Sequence, residues 1–239
     1  MENWENAKLA RLLEEFSESW PDTEVPSDPS APHQNIPLRT GSRPAVFFDR
    51  DGTLNEEVQY LHRIADFRWI EGVPEAIRWL NENGYAVIVV TNQAGIARGY
   101  YDEADVFKLH IFMQDELIKA NAHIDAFYYS PYHPDGIVEA YRKDHPDRKP
   151  GTGMFEKAIE EWGLDPKHSF VIGDRNTDIE AGRALGMMSL LVLTGYGRSE
   201  RYETLAHFIV NDVADAVAHI EMLHIRKQKG LTSDLWDTP

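Results

Sequence analysis

The sequence predicts an α/β fold, a three-layer Rossmann-like arrangement in which a central parallel sheet is covered by helices on both faces. Three observations carry that expectation. From residue 45 onward, short β-branched and aromatic runs alternate with segments of helical periodicity. Several of the runs, "AVIVV" at 86–90 above all, are almost entirely apolar, as strands buried on both faces should be. Acidic and amide residues recur where these runs end, and in open sheets ligands bind outside the carboxyl ends of the strands.

Taken in order, residues 1–40 stand apart. They hold eight acidic residues against Lys8, Arg11 and Arg39, and 21–37 contain five of the thirteen prolines. Leu9, Leu13, Phe16 and Trp20 make one apolar helical stripe that stops at Pro21, so a short amphipathic helix followed by a proline-rich acidic linker is expected. That stripe could pack on its own domain, on a second copy or on a partner. The domain at 41–226 then reads as strands "AVFF", "YAVIVVT", "AFYYS", "SFVIGD" and "SLLVLT", with helices near 73–83, 102–121, 153–162 and 176–186. A short strand "HFIV" and a helix from about Asn211 close it, and 227–239 read as a tail. Only about twenty residues separate the first strand from the next helix, so no large cap domain is expected, and the site should be open to small substrates.

Composition narrows the function. A formal net charge of -16 argues against nucleic acid and anionic membranes as partners. The acidic start and the lack of an apolar run of roughly 20 residues point to a cytoplasmic protein without a membrane span. The absence of cysteine excludes disulfides and thiolate metal sites. No G-x-x-x-x-G-K-[ST] loop and no G-x-S-x-G elbow occurs either.

The strand ends supply a coherent chemistry. "FFDRDGTLN" places Asp49 and Asp51 two residues apart, on one side of an extended chain, where they repel unless a cation lies between them. The second strand ends in Thr91, Asn92 and Gln93, the third leads to Arg148 and Lys149, and the fourth ends in Asp174, with Asp178 beyond. Asp49, Asp51 and Asp174 suit a hard cation such as Mg²⁺ beside a phosphoryl group. With other nucleophiles lacking a constellation, a carboxylate that forms an aspartyl-phosphate remains.

In the order "DRDGT" (49–53), "VVTNQAGIARGYY" (89–101), "DRKPGTGMF" (147–155) and "VIGDRNTDIEAG" (171–182), these segments resemble the haloacid dehalogenase superfamily of phosphatases. Within it they are similar to the group acting on heptose 1,7-bisphosphate and histidinol phosphate. The resemblance covers roughly residues 43–212. It implies that Asp49 attacks phosphorus, that Asp51 protonates the leaving oxygen and then activates water, and that Asp49, the Asp51 carbonyl and Asp174 hold Mg²⁺. It further implies that Thr91 and Lys149 grip the transferring oxygens, while Asp178 either joins the metal or orients Lys149. Arg148 and Arg175 are expected to bind phosphate, and Tyr60 falls in the group's substrate-contact segment. Arg98 is either a phosphate ligand or a surface arginine.

Two departures stand out. The heptose group carries a structural zinc on a Cys-x-His and Cys-x-Cys set, and the matching positions here are Ser130, Tyr132, His145 and Asp147. Structural zinc is therefore expected to be absent, and packing of tyrosines and prolines should hold the loop, although His133, His145 and Asp147 could form a weak site. Arg175 replaces the group's usual lysine, keeping charge with a planar fork. The expected function is Mg²⁺-dependent hydrolysis of a small sugar phosphate, with heptose 1,7-bisphosphate losing its 7-phosphate. Histidinol phosphate or another small ester is the alternative of the same chemistry; a catalytically weak phosphate-binding protein is the alternative of another class. The "GYG" at 195–197 reads as a turn, and Trp69, Trp79 and Trp162 as core.

Overall fold

A computed structural model of the chain describes residues 42–230. The expected amino-terminal helix and linker, and residues 231–239 of the tail, lie outside the described residues. Six parallel strands, β1 (Ala45–Phe48), β2 (Ala86–Asn92), β3 (Ala126–Ser130), β4 (Phe170–Gly173), β5 (Met188–Val192) and β6 (Phe208–Val210), form one sheet in the order β3-β2-β1-β4-β5-β6. The helices are α1 (Val73–Glu82), α2 (Ala94–Ala97), α3 (Glu103–Lys119), α4 (Gly153–Trp162), α5 (Asn176–Ala184), α6 (Gly197–Glu200) and α7 (Val213–Gln228). The sequence pattern does not reveal the short α2 and α6, and α7 runs two residues past the point where that pattern fades.

The period of two along each strand sorts the core into two faces. Val46, Phe48, Val87, Val89 and Ile172 face one layer, where they meet Ile77 and Leu80 of α1, Leu109 and Met113 of α3, and Ile220 of α7. Ala45, Phe47, Ile88, Val90 and Val171 face the other, against Met154, Phe155 and Ala158 of α4 and Ala181 of α5. Trp69 and Trp79 pack partly buried on the first layer and Trp162 on the second. At roughly 25 cal/mol per Å² of apolar area, this two-sided burial is the main force holding the sheet. Among the described residues no helix is long and apolar enough to cross a membrane.

Strand order reverses direction beside β1 and β4, which pair with Phe48 opposite Ile172. A crevice opens at the carboxyl ends where neighbouring connections leave in opposite directions. Asp49 follows β1, Asp174 follows β4, and Thr91 and Asn92 finish β2. All reach the same crevice because parallel strands end on the same side of the sheet.

Candidate active site

Asp49, Asp178 and Lys149 line a cleft of about 410 Å³, and Asp174 is buried beneath it. Lys149 Nζ lies 2.7 Å from Asp49 Oδ1 and 2.7 Å from Asp178 Oδ1, and it donates to the Val90 carbonyl at 2.6 Å. Ligand oxygens of Asp49, Asp174 and Asp178 all fall within 4.8 Å of one another. Burial, then the balance of Lys149 against Asp178 and Asp51, pushes Asp49 up to about 7. Burial followed by the charges of Asp49 and Asp178 pushes Asp174 up to about 8. Burial also works against the charge of Lys149, but Asp178 and Asp49 outweigh it and keep the ammonium above the ordinary lysine range.

This donor set fits a hard divalent cation. The ligands are oxygens alone, they are too crowded with negative charge for one lysine to neutralise, and Asp174 Oδ1 is buried without a hydrogen-bond partner. Asp174 Oδ2 accepts the Tyr196 N–H at 2.7 Å, which leaves the other oxygen facing the cluster. Two glycines make room: a Cβ on Gly52 or Gly195 would collide with the Asp174 carboxylate, and both have a left-handed φ, 83° and 49°. Thr194 Oγ1 ties the two turns together by donating to the Gly52 carbonyl at 2.6 Å.

Asp51 points elsewhere. Its oxygens accept from Arg50, from Asn55 Nδ2 at 3.1 Å and from Gln93 Nε2 at 3.0 Å, so its carboxylate lies outside the acidic trio of Asp49, Asp174 and Asp178, and the contact expected of Asp51 is by its backbone carbonyl. Gln93 is itself held: its Nε2 also donates to Thr91 Oγ1 at 2.9 Å, and its Oε1 accepts from Tyr101 at 2.6 Å. Asn92 clamps the backbone of Lys149, accepting from its N–H at 3.0 Å and donating to its carbonyl at 3.1 Å. The sequence assigns Asn92 and Gln93 to substrate; both line the cleft, yet their amides are engaged by the protein.

The cleft also carries basic residues. Arg98, Arg148 and Arg175 line it with Glu57, Tyr60 and His133. Burial, then the nearby charge of Arg98, lowers Arg148 from its usual range, with Arg175 contributing in the same direction. Arg98 Nη2 meets His133 Nε2 at 3.2 Å, while its Nε is buried without a partner. Every site residue read from the sequence lines this cleft except Asp174, which is fully buried beneath it. Glu57, in the same segment as Tyr60, lines it as well, as do Tyr101, Thr177 and Tyr196, which the sequence reading does not assign to the site. Of these, Tyr196 has a signal: the "GYG" is a turn as expected, and its Tyr196 N–H donates to Asp174 Oδ2.

In the loop after β3, Tyr132 stacks on His145 with centroids 4.1 Å apart, Lys143 Nζ sits 4.4 Å from the Tyr132 centroid, and Lys157 pairs with Asp147 at 2.6 Å. Tyr129 and Tyr141 pack on Ile96, Tyr101 and Val106. His133 turns instead to Arg98, so His133, His145 and Asp147 do not gather round a common point.

Residues 147–216 match the Hydrolase_like family model, which is HAD-hydrolase-like. The chain is 42% identical, over 173 residues, to the D-glycero-beta-D-manno-heptose-1,7-bisphosphate 7-phosphatase of Photorhabdus laumondii, covering 72% of this chain and 92% of that protein. It is 41% identical over 159 residues to the D-glycero-alpha-D-manno-heptose-1,7-bisphosphate 7-phosphatase of the same organism, covering 66% and 87%. Its fold is similar to the crystal structure of D,D-heptose 1,7-bisphosphate phosphatase from B. bronchiseptica complexed with magnesium and phosphate, with TM-score 0.68 and 26% identity over 75% of this chain and 99% of that one.

Proposed function

We propose the reaction of this chain from one premise: it belongs to the HAD-like hydrolases, in the group of heptose bisphosphate phosphatases, and is a phosphatase. In our reading it removes the 7-phosphate of a D-glycero-D-manno-heptose 1,7-bisphosphate. The observation that carries the reading is a single cleft that brings together a lysine among three carboxylates and three arginines. The first group suits a phosphoryl group in transfer, and the second an anionic substituent on the rest of the substrate.

An Asp49 oxygen attacks phosphorus as the bond from phosphorus to the sugar oxygen breaks. Protonated Asp51 gives its proton to that leaving oxygen. Asp51, now a carboxylate, takes a proton from water as the water oxygen attacks the phosphoenzyme; the bond from phosphorus to Asp49 breaks and inorganic phosphate leaves. Lys149 and Thr91 hold the phosphoryl oxygens, with Asn92 fixing the Lys149 backbone and Gln93 fixing Asp51. Asp49, Asp174 and Asp178, with the Asp51 carbonyl, would hold Mg²⁺, whose charge when bound offsets that of the transferring group. Apart from that cation, most of the rate acceleration in such a site comes from positioning.

The test is a phosphate-release comparison of heptose 1,7-bisphosphate, heptose 7-phosphate, fructose 1,6-bisphosphate and histidinol phosphate. Three guanidinium groups in one cleft disfavour the ammonium of histidinol phosphate and favour a second phosphate. The expected result is the highest kcat/KM on heptose 1,7-bisphosphate. A preference for histidinol phosphate, or turnover with none of the four, would overturn the substrate assignment.

A further inference from the structure

Arg175 and Tyr196 come from different connections, one at the start of α5 and one just before α6, and meet at the rim of the cleft. The Arg175 guanidinium carbon sits 3.6 Å from the centroid of the Tyr196 ring. A planar cation that close to an aromatic face loses much of its rotational freedom and keeps its N–H groups pointing outward around its edge. Arg50 in the same site is tied to a carboxylate, whereas Arg175 enters no ion pair among the described residues. Its donors are thus oriented and free to meet an anion.

The backbone joins this pair to the acidic trio. Tyr196 N–H donates to Asp174 Oδ2 at 2.7 Å, and Arg175 N–H donates to Asp178 Oδ2 at 3.1 Å. One short turn therefore fixes a carboxylate of the floor through its backbone and an arginine of the rim through its ring. The two duties can be separated by mutation, because a side-chain change leaves the backbone donor in place.

We propose that Tyr196 is a positioning residue for substrate specificity: its ring aims Arg175 at the phosphate that stays on the sugar, and so favours bisphosphates over monophosphates. This inference rests on the reading of the cleft given under the proposed function. Lys149 is held between Asp49 and Asp178, whereas the Arg175 side chain enters no ion pair among the described residues and lines the cleft with Arg98 and Arg148. Glu57, which also lines the cleft, repels a phosphate and thereby narrows where that anion can sit.

The test compares Tyr196→Leu, Tyr196→Phe and Arg175→Met with the unaltered protein on heptose 1,7-bisphosphate and heptose 7-phosphate. Tyr196→Leu is expected to raise KM for the bisphosphate about tenfold with kcat within about threefold, and to leave KM for the monophosphate nearly unchanged. Half-saturation by Mg²⁺ should not move, since the N–H to Asp174 remains. Tyr196→Phe should restore the normal KM. Arg175→Met should raise the bisphosphate KM at least as much as Tyr196→Leu, and the double variant should be no worse than Arg175→Met alone. An unchanged KM in Tyr196→Leu, additive effects in the double variant, or an equal loss on both substrates would overturn the proposal. If Tyr196→Leu does not fold, Arg175→Met decides alone: an unchanged ratio of bisphosphate to monophosphate KM overturns it.

Failure of the underlying reading is seen separately, in the unaltered protein, as no turnover of the heptose bisphosphate. Calorimetric binding of fructose 1,6-bisphosphate to the same variants then serves as the readout. Weaker binding by Tyr196→Leu with recovery in Tyr196→Phe supports the pairing; equal affinities, or no binding at all, overturn it.

Discussion

Arg50 lies across the carboxylate of Asp51, with Nη2 2.9 Å from Oδ2 and 3.2 Å from Oδ1, and Nε 3.2 Å from Oδ1. The Arg50 side chain is fully buried, and its Nη1 meets His110 Nε2 at 3.2 Å while Nη2 also donates to the Leu61 carbonyl at 3.1 Å. Burial, then the charge of Arg50, keeps His110 neutral by holding it well below the usual histidine range, so the ring can accept from Arg50. The chain from α3 through Arg50 fixes where the Asp51 carboxylate stands. Arg50→Met should remove that support, lowering stability by about 3 kcal/mol as a largely buried carboxylate loses its partner. It should also lower kcat by about tenfold or more. Denaturant unfolding and steady-state kinetics check both; normal values for each would show that Asn55 and Gln93 suffice to hold Asp51.

Asp49→Asn should leave the fold intact and lower kcat by at least about 1,000-fold, because an amide is a poor nucleophile and a poorer metal ligand. Circular dichroism and phosphate release read the two halves. Retained turnover in a preparation free of host phosphatase would remove Asp49 from the role of nucleophile. A protein that only binds phosphate would have no turnover to lose, so the same experiment separates the two classes of function.

Stability without Mg²⁺ should depend on pH in a definite direction. Asp49 and Asp174 rise from 3.8 in the free side chain to about 7 and about 8 in the fold, so the folded chain binds more protons than the unfolded one across that interval. Their contribution is fully present below about pH 4 and is lost as pH climbs through about 7 to 8. Bound Mg²⁺ removes the reason for the loss. The expected measurement is a larger rise in Tm on adding Mg²⁺ at about pH 8.5 than at about pH 6, both read in the same buffer series. Equal shifts at the two pH values would count against the acidic trio as the metal site.

Purified protein should carry less than about 0.1 zinc per chain, and zinc chelators should leave its Tm unchanged while Mg²⁺ activation persists. Tyr132 and His145 are turned face to face, Asp147 is paired with Lys157 and lies 3.6 Å from His145 Nδ1, and His133 turns away to Arg98. Elemental analysis is the check, and about one tightly held zinc per chain would make His133, His145 and Asp147 the ligands to mutate.

Much of this was legible in the sequence for reasons of geometry. An apolar run buried on both faces can only be an inner strand, and its first polar residue must stand at the strand's end, which located Asp49 and Asp174 without any contact being known. Lys149 and Asp178 could be named, but not their mutual distance. What the sequence hid were side-chain directions set by closure of distant loops. Gln93 and Asn92 follow the same strand, yet one turns to Asp51 and the other to the Lys149 backbone 57 residues away. Tyr196 gave no sign of reaching Arg175, because that contact depends on the turn after β5 lying against the start of α5. Arg50, between the two aspartates, is fully buried, and nothing in its neighbouring residues signals that.

The loop after β3 is held by a stack of Lys143, Tyr132 and His145, by the Lys157–Asp147 ion pair, by the packing of Tyr129 and Tyr141 and by hydrogen bonds to the Ala97 carbonyl, in a chain that has no thiol anywhere. A loop fastened by thiolates and a metal opens when oxidants attack the sulfur or when the metal is competed away. This one offers oxidants and competing chelators no thiolate to act on. It also means that a single cysteine introduced at an exposed position would be the chain's one thiol, so the wall of the cleft could be labelled and its motion followed with no background reaction elsewhere.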